Sequence, residues 1–447
     1  MLVLARFMLF FIMLGVTLIY LFTNIKFIFD GSSALILLMF SIFIGTILLI
    51  LDMLVKKRIY MKKSFFFLTL FLTYFICSLV LSRPEDIKSY TIATTGGIIL
   101  FYLLGVLISL NLEYIKEKVL SSNQFLKFFN SFYFIFVVSF IVLLIDTSVE
   151  LASNIRGDLF LIVDPDGMYQ RAGNFLIISS LIFSFITMFF LIVNKYIRRK
   201  TFVKLISFSI YLLSSVVLFG IMLLSQLIGS NNTLVNITGL LLSITVFYVL
   251  LNFVNSKKLL NSVKFNIKKI FFSRFANKLL KSIFLSIFIF IFILIFMLNI
   301  VEIDLDKLRI FGFGSGEISS INSRLALWGD FTSHFNYNPI FGNMAVDKLT
   351  TGEGKYVHSF IGSLFTHLGI IGFILFFIYL FNAIKEKLNY NNNLYFNNVY
   401  TLYSLLVLTG ILGIASFGTF FTWIPIWFLM GLIFPPIEFK DRKEIFK

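Results

Sequence analysis

Residues 173–200 read GNFLIISSLIFSFITMFFLIVNKYIRRK. From Gly173 to Asn194 the run holds no ionisable side chain. Its length matches the roughly 20 residues that carry a helix across about 30 Å of hydrocarbon. Lys195, Arg198, Arg199 and Lys200 follow at once, while Asp158, Asp164 and Asp166 lie upstream. Basic residues crowd the cytoplasmic ends of spans, so this segment reads as a helix that enters from outside and leaves inside.

The same reading extends along the whole chain. Apolar runs of spanning length fall near 5–22, 33–52, 64–82, 91–111, 128–147, 173–194, 202–224, 235–255, 282–301, 359–384, 399–415 and 418–434. With the connections alternating from an inside N-terminus, the inside set carries 28 of the 38 Lys and Arg residues. The outside connections hold most of the acids, including Glu85, Asp86, Glu150, Glu302, Asp304 and Asp306. The expected fold is therefore all-α: a polytopic membrane protein of about 12 transmembrane helices, both termini cytoplasmic. The first span reads as a retained helix, because its apolar stretch exceeds a signal-peptide core and no small-x-small cleavage site precedes Thr23-Asn24.

Composition agrees. The chain is 59% hydrophobic and 13% charged, against roughly a quarter charged in soluble domains. The net charge of +16 reports orientation and anionic lipid contact, so nucleic acid is not an expected partner. The single cysteine, Cys77, excludes a disulfide framework and a cysteine-rich metal cluster. Residues 1–447 read as one integral membrane domain with two long outside loops, 148–172 and 302–357, the second partly helical and placed before the tenth span. Ionisable residues are nearly absent from the spans, which argues against a proton- or ion-coupled carrier. Gly410, Gly413, Ala415 and Gly418 read as small residues where helices pack closely.

Candidate chemistry gathers in the outside loops. Ile321, Leu325, Trp328, Phe331 and Phe335 recur at helical spacing, and Arg324 falls within their stripe. A guanidinium on an apolar face either meets an anion such as a phosphate or snorkels at the membrane edge. His358 stands where the loop re-enters the membrane, as a general base or as a cap or interface anchor. Arg171 sits at the outer boundary of the sixth span, and Lys355 adds to the same positive patch. Asp164-Pro165-Asp166 is either a divalent-ion pair or a turn. His334 reads as a surface residue and His367 as a packed, hydrogen-bonded span residue; three scattered histidines do not suggest a metal site. No P-loop, dinucleotide fingerprint or nucleophile elbow is present.

Together these pieces resemble the bacterial O-antigen polymerase and O-antigen ligase superfamily. Arg324 with Trp328, Asn338-Pro339-Ile340-Phe341-Gly342, and His358-Ser359 followed by Gly369 and Gly372 occur in the superfamily's order. Arg171-Ala172-Gly173-Asn174-Phe175 resembles its second arginine, and Ser359 stands where asparagine is commonest. The resemblance implies a glycosyltransferase in the bacterial inner (cytoplasmic) membrane with a periplasmic active site. It would take an undecaprenyl-diphosphate-linked glycan as donor and use no metal or other cofactor.

The implied roles are specific. Arg324 and Arg171, with Lys355, would hold the leaving diphosphate, and His358 would orient or deprotonate the acceptor hydroxyl. Trp328, Gly342, Gly369 and Gly372 would support the site. The acceptor is a second lipid-linked repeat for a polymerase, the expected activity, or lipid A-core for a ligase, the alternative. A chain-length regulator is a further partner that the resemblance allows. A lipid-linked oligosaccharide flippase is the contrasting class.

Overall fold

The computed structural model describes residues 2–26, 31–54, 58–82, 92–153, 168–197, 202–253, 331, 336, 338–344, 359–389 and 395–440. Among these residues eight helices precede the long loop: α1 (Leu2–Lys26), α2 (Gly31–Leu54), α3 (Lys63–Ser82), α4 (Ile92–Ser121), α5 (Asn123–Ser153), α6 (Met168–Ile197), α7 (Phe202–Leu227) and α8 (Asn231–Phe253). Three more follow the long loop: α9 (Phe360–Asn389), α10 (Tyr395–Gly418) and α11 (Ile424–Ile433). Among the described residues, nine helices are long and apolar enough to cross a membrane, which makes this a multi-pass membrane protein. The ninth expected span, 282–301, lies outside the described residues. The second and twelfth are carried by shorter apolar stretches, Leu35–Leu51 and Ile424–Ile433.

Hydrocarbon on one side and protein on the other explain why the helices are apolar all round. On α5 the exposed side chains include Phe134, Ile135, Val138, Val142, Ile145 and Val149, a continuous lipid-facing stripe. Its opposite face buries Phe129, Tyr133, Phe136 and Phe140. The helix of the opening stretch, α6, lies at the centre and is enclosed through its whole apolar length. Polar residues join it to its neighbours, since lipid offers no hydrophobic drive for helix association. Ser184 meets the Tyr403 hydroxyl at 2.8 Å, Tyr133 donates to Thr187 at 3.3 Å, and Asn194 and Asn130 pair through both amides.

The last helix departs from expectation. Residues 418–434 read as a full span, yet α11 has ten residues, about 15 Å of rise. The chain turns through Thr419–Thr422 and enters α11 with Pro425 in its first turn, where a missing N–H costs nothing. Nine of its residues, Pro425 to Ile433, are buried. Its main partner is α4, where backbones touch through two glycines. A Cβ on Gly105 would stand 2.3 Å from the Phe428 carbonyl oxygen, and one on Gly431 would stand 2.1 Å from that of Tyr102. After Pro435-Pro436 the chain forms β2 (Ile437–Lys440), antiparallel to β1 (Arg58–Met61), with Arg58 opposite Lys440 and Met61 opposite Ile437. This ribbon is the only sheet among the described residues of a chain expected to be wholly helical.

Opposite ends of the bundle are fastened separately. Beside the ribbon, the Glu386 carboxylate accepts from Lys63 N at 2.7 Å and from Ser64, capping the start of α3. At the other end Lys26 of α1 pairs with Asp146 and, at 2.8 Å, with Glu150 of α5. The loop expected over 148–172 is shorter than its outline. Residues 148–153 continue α5 and 168–172 belong to α6, while 154–167, with Asp164 and Asp166, lie outside the described residues.

Candidate functional site

The glycines of the Pro-x-x-Gly and Gly-x-x-Gly elements form one unit. Pro339 opens a single turn in which Gly342 N donates to the Asn338 carbonyl at 2.8 Å, and the Asn338 side chain accepts from Phe341 N at 3.3 Å. Gly342 closes the turn at φ +73°. Within α9 the helix breaks at Gly369, at φ 63° and ψ −168°. Such a break orphans backbone groups on both sides, and a membrane protein must satisfy them internally.

The turn 338–342 does so. Ile370 N donates to the Pro339 carbonyl at 2.9 Å and Ile371 N to that of Ile340 at 3.2 Å. Asn343 N returns a bond to the Thr366 carbonyl at 3.0 Å. The two backbones lie so close that a Cβ on Gly342 would stand 2.4 Å from Gly369 N, and one on Gly369 would stand 2.3 Å from the Ile340 oxygen. Neither position admits a side chain, on φ or on space.

From α3, the Tyr74 hydroxyl lies 2.8 Å from the Phe341 carbonyl and 3.1 Å from that of Leu368, so its proton clamps turn to break. Gly372 leaves room for that ring, since a Cβ there would meet Tyr74 Cε1 at 3.2 Å and Leu368 Cβ at 2.2 Å. Tyr74→Phe removes the clamp and leaves two carbonyls short of a donor. The expected loss is about 1–2 kcal/mol, read as a lower melting temperature of the purified protein in detergent. An unchanged melting temperature would remove Tyr74 from the assembly.

The first half of α9 begins at Ser359, whose hydroxyl accepts from Gly362 N at 3.0 Å, so the helix cap is the serine next to His358. His367 is buried at the break, as expected, with Nδ1 2.9 Å from Thr366 Oγ1 and its ring edge-on to Phe420 at 4.6 Å. Ser363 Oγ accepts from Phe421 N at 2.9 Å, tying α9 to the connection between α10 and α11.

That connection reaches α6 in turn. Trp423 Nε1 donates to Asn174 Oδ1 at 2.6 Å, one turn from Arg171. Arg171 donates to Asn24 Oδ1 of α1 at 2.7 Å and lies 5.8 Å over the Phe175 ring, while remaining exposed. Gly173 lets α6 press on the start of α8, where a Cβ would meet Thr233 Oγ1 at 2.3 Å and Ser230 Oγ at 2.8 Å. A single rim therefore joins the end of α1 and the starts of α6, α8 and α9.

No family model, curated protein or solved structure matches the chain.

Of the residues selected from sequence, Arg171, Gly342, Gly369 and Gly372 stand on this rim or beneath it. Arg324, Trp328, Lys355 and His358 lie outside the described residues. Sequence reasoning missed Asn24, Tyr74, Asn174 and Trp423, whose contacts at this rim and break are with residues distant in the chain. Trp423 offered a signal, being one of three tryptophans and two residues before Pro425. The small residues of α10 are a correction. Ala415 is buried as expected, but no heavy atom lies within 4 Å of a Cβ built on Gly413, and Gly410 and Gly413 are exposed. They line a groove instead of a helix contact.

Proposed function

We propose that this protein is a membrane glycosyltransferase that joins glycans carried on undecaprenyl diphosphate, acting as an O-antigen polymerase on the outer face of the bacterial inner membrane. The observation that carries the reading is the docking of turn 338–342 into the break at Gly369. It gives the Pro-x-x-Gly and Gly-x-x-Gly elements a shared role, which is to hold both ends of the segment that contains Lys355 and His358. A second support is Arg171, an exposed guanidinium held in place by Asn24 on the same rim.

In this reading the arginines Arg171 and Arg324 take the donor diphosphate, since a planar fork suits phosphate oxygens. Their charge stabilises the diphosphate as the glycosidic bond breaks. His358 takes the proton of the acceptor hydroxyl. Among the described residues no Asp, Glu, Lys or Arg lies mid-span, which disfavours a charge-lined transport path.

The test is a lipopolysaccharide gel on a deletion strain. Core bearing a single repeat is the expected result. Bare core with accumulated lipid-linked polymer would assign the ligase reaction instead, and an unaltered ladder would overturn the proposal.

A further inference from the structure

One stretch of the loop expected outside the membrane is built as if water were absent. Residues 338–344 read NPIFGNM and carry no charge. Three consecutive carbonyls, those of Pro339, Ile340 and Phe341, all have donors, and the donors come from α9 and α3 instead of from the loop itself. A loop lying over water leaves such groups to the solvent. Hydrocarbon supplies no partner, so irregular backbone survives at membrane depth only where protein satisfies it.

The side chains of the turn divide. Gly342 and Met344 are buried, whereas Ile340 and Phe341 at its tip are 54% and 57% exposed. Leu70, one turn before Tyr74 on α3, and Ile370 and Ile374, one turn apart on α9, are exposed as well. The tip therefore lies among exposed apolar positions of the two helices that bond to its backbone. Those helices also give its depth. Tyr74 stands eight residues before Ser82, the end of α3 remote from the ribbon, and Gly369 stands nine residues after Phe360. At about 1.5 Å per residue, the turn meets them about 12 Å and 14 Å below their ends. That is nearly half of a hydrocarbon layer about 30 Å thick.

We propose that residues 338–342 form a re-entrant turn inside the bilayer, with Ile340 and Phe341 packed against the acyl chains of one leaflet. Satisfied backbone, apolar tip and depth are separate observations, and hydrocarbon is the surrounding that accounts for all three. The loop expected over 302–357 is then two stretches parted by an anchor within the membrane. The inference goes beyond the glycosyl-transfer reading and holds whatever reaction the loop serves.

The test places a nitroxide on Phe341→Cys in a Cys77→Ser background, with the full chain reconstituted in phosphatidylcholine vesicles. Val142→Cys, on the lipid-facing stripe of α5, and Gln124→Cys, exposed at the start of α5, are the references. Molecular oxygen concentrates in lipid, whereas a neutral nickel chelate stays in water. The ratio of their collision rates at Phe341→Cys is expected to match that at Val142→Cys and to exceed that at Gln124→Cys about ten-fold, because hydrocarbon excludes polar groups. Ile340→Cys decides the matter if Phe341→Cys does not fold. A ratio like that at Gln124→Cys would put the turn in water and overturn the proposal. So would a label that neither reagent reaches, which would mean that protein, of this chain or of a second copy, covers the tip. Either result would leave the glycosyl-transfer reading standing, since the docking of turn and break does not depend on what the tip faces.

Discussion

Gly369→Val is expected to separate the turn from the broken helix and to abolish product formation. Valine at φ 63° is strained by about 1–3 kcal/mol on backbone grounds alone. Its Cβ would also fall 2.3 Å from the Ile340 oxygen and 2.5 Å from Gly342 N, against backbone that cannot rotate away. Relief requires the turn to withdraw, which strands Ile370 N, Ile371 N and Asn343 N without acceptors. Each such loss costs about 1–3 kcal/mol, so the total is several kcal/mol, near the whole stability of an ordinary domain. Thermal melting in detergent and yield of monodisperse protein measure it. Gly413→Ala is the control: the same residue type in a helix of the same bundle, with open space at Cβ, is expected to be neutral or stabilising by up to about 1 kcal/mol. If Gly369→Val melts with the wild type, the docking is not what holds turn and break together.

The second large effect concerns activity without stability. Arg324→Ala and His358→Ala are each expected to remove the polysaccharide ladder while membrane expression and melting temperature stay at wild-type values. Losing a preorganised positive donor at a developing anion costs about 10²–10³-fold in rate. Losing a general base costs about 10²–10⁴-fold. Arg324→Lys should recover only part of the loss, since an ammonium keeps the charge but not the two-pronged geometry. A normal ladder in both alanine variants would refute the assignment of these residues. A normal melting temperature with no ladder distinguishes this result from that at Gly369, where both readouts fall.

How far the sequence can be read follows from the range of each interaction. Spans are legible because hydropathy and charge are properties of contiguous residues, and α1, α3–α8, α9 and α10 lie where the apolar runs fall. The break in α9 is not, because Gly369 sits inside an apolar run of spanning length and hydropathy does not register φ. The docking is illegible for a second reason. It is made by backbone hydrogen bonds between distant segments, and these impose no side-chain pattern on either. Gly342 and Gly369 stand out only through the resemblance, which gives no reason for their pairing. The half-length of α11 is hidden because Phe420, Phe421 and Trp423 in the preceding connection are as apolar as a helix interior. At Gly410 and Gly413 a small residue reads as contact, when the same absence of side chain also makes a groove. Arg171 is legible as a boundary cation, but its partner Asn24 belongs to another helix and no spacing rule reaches it.

The shortness of α11 has a consequence for how the protein is made. Ten residues cannot hold a transmembrane position by their own partitioning, and nearly every one of them is covered by protein in the finished bundle. The slot that receives them, bounded by the Gly105 face of α4, exists only once the earlier helices have assembled. Insertion of α11 is therefore expected to depend on packing into that slot more than on its own partitioning into lipid. Closure of the ribbon between residues 58–61 and 437–440 then works as a latch that a newborn chain fastens only after α11 has reached its slot.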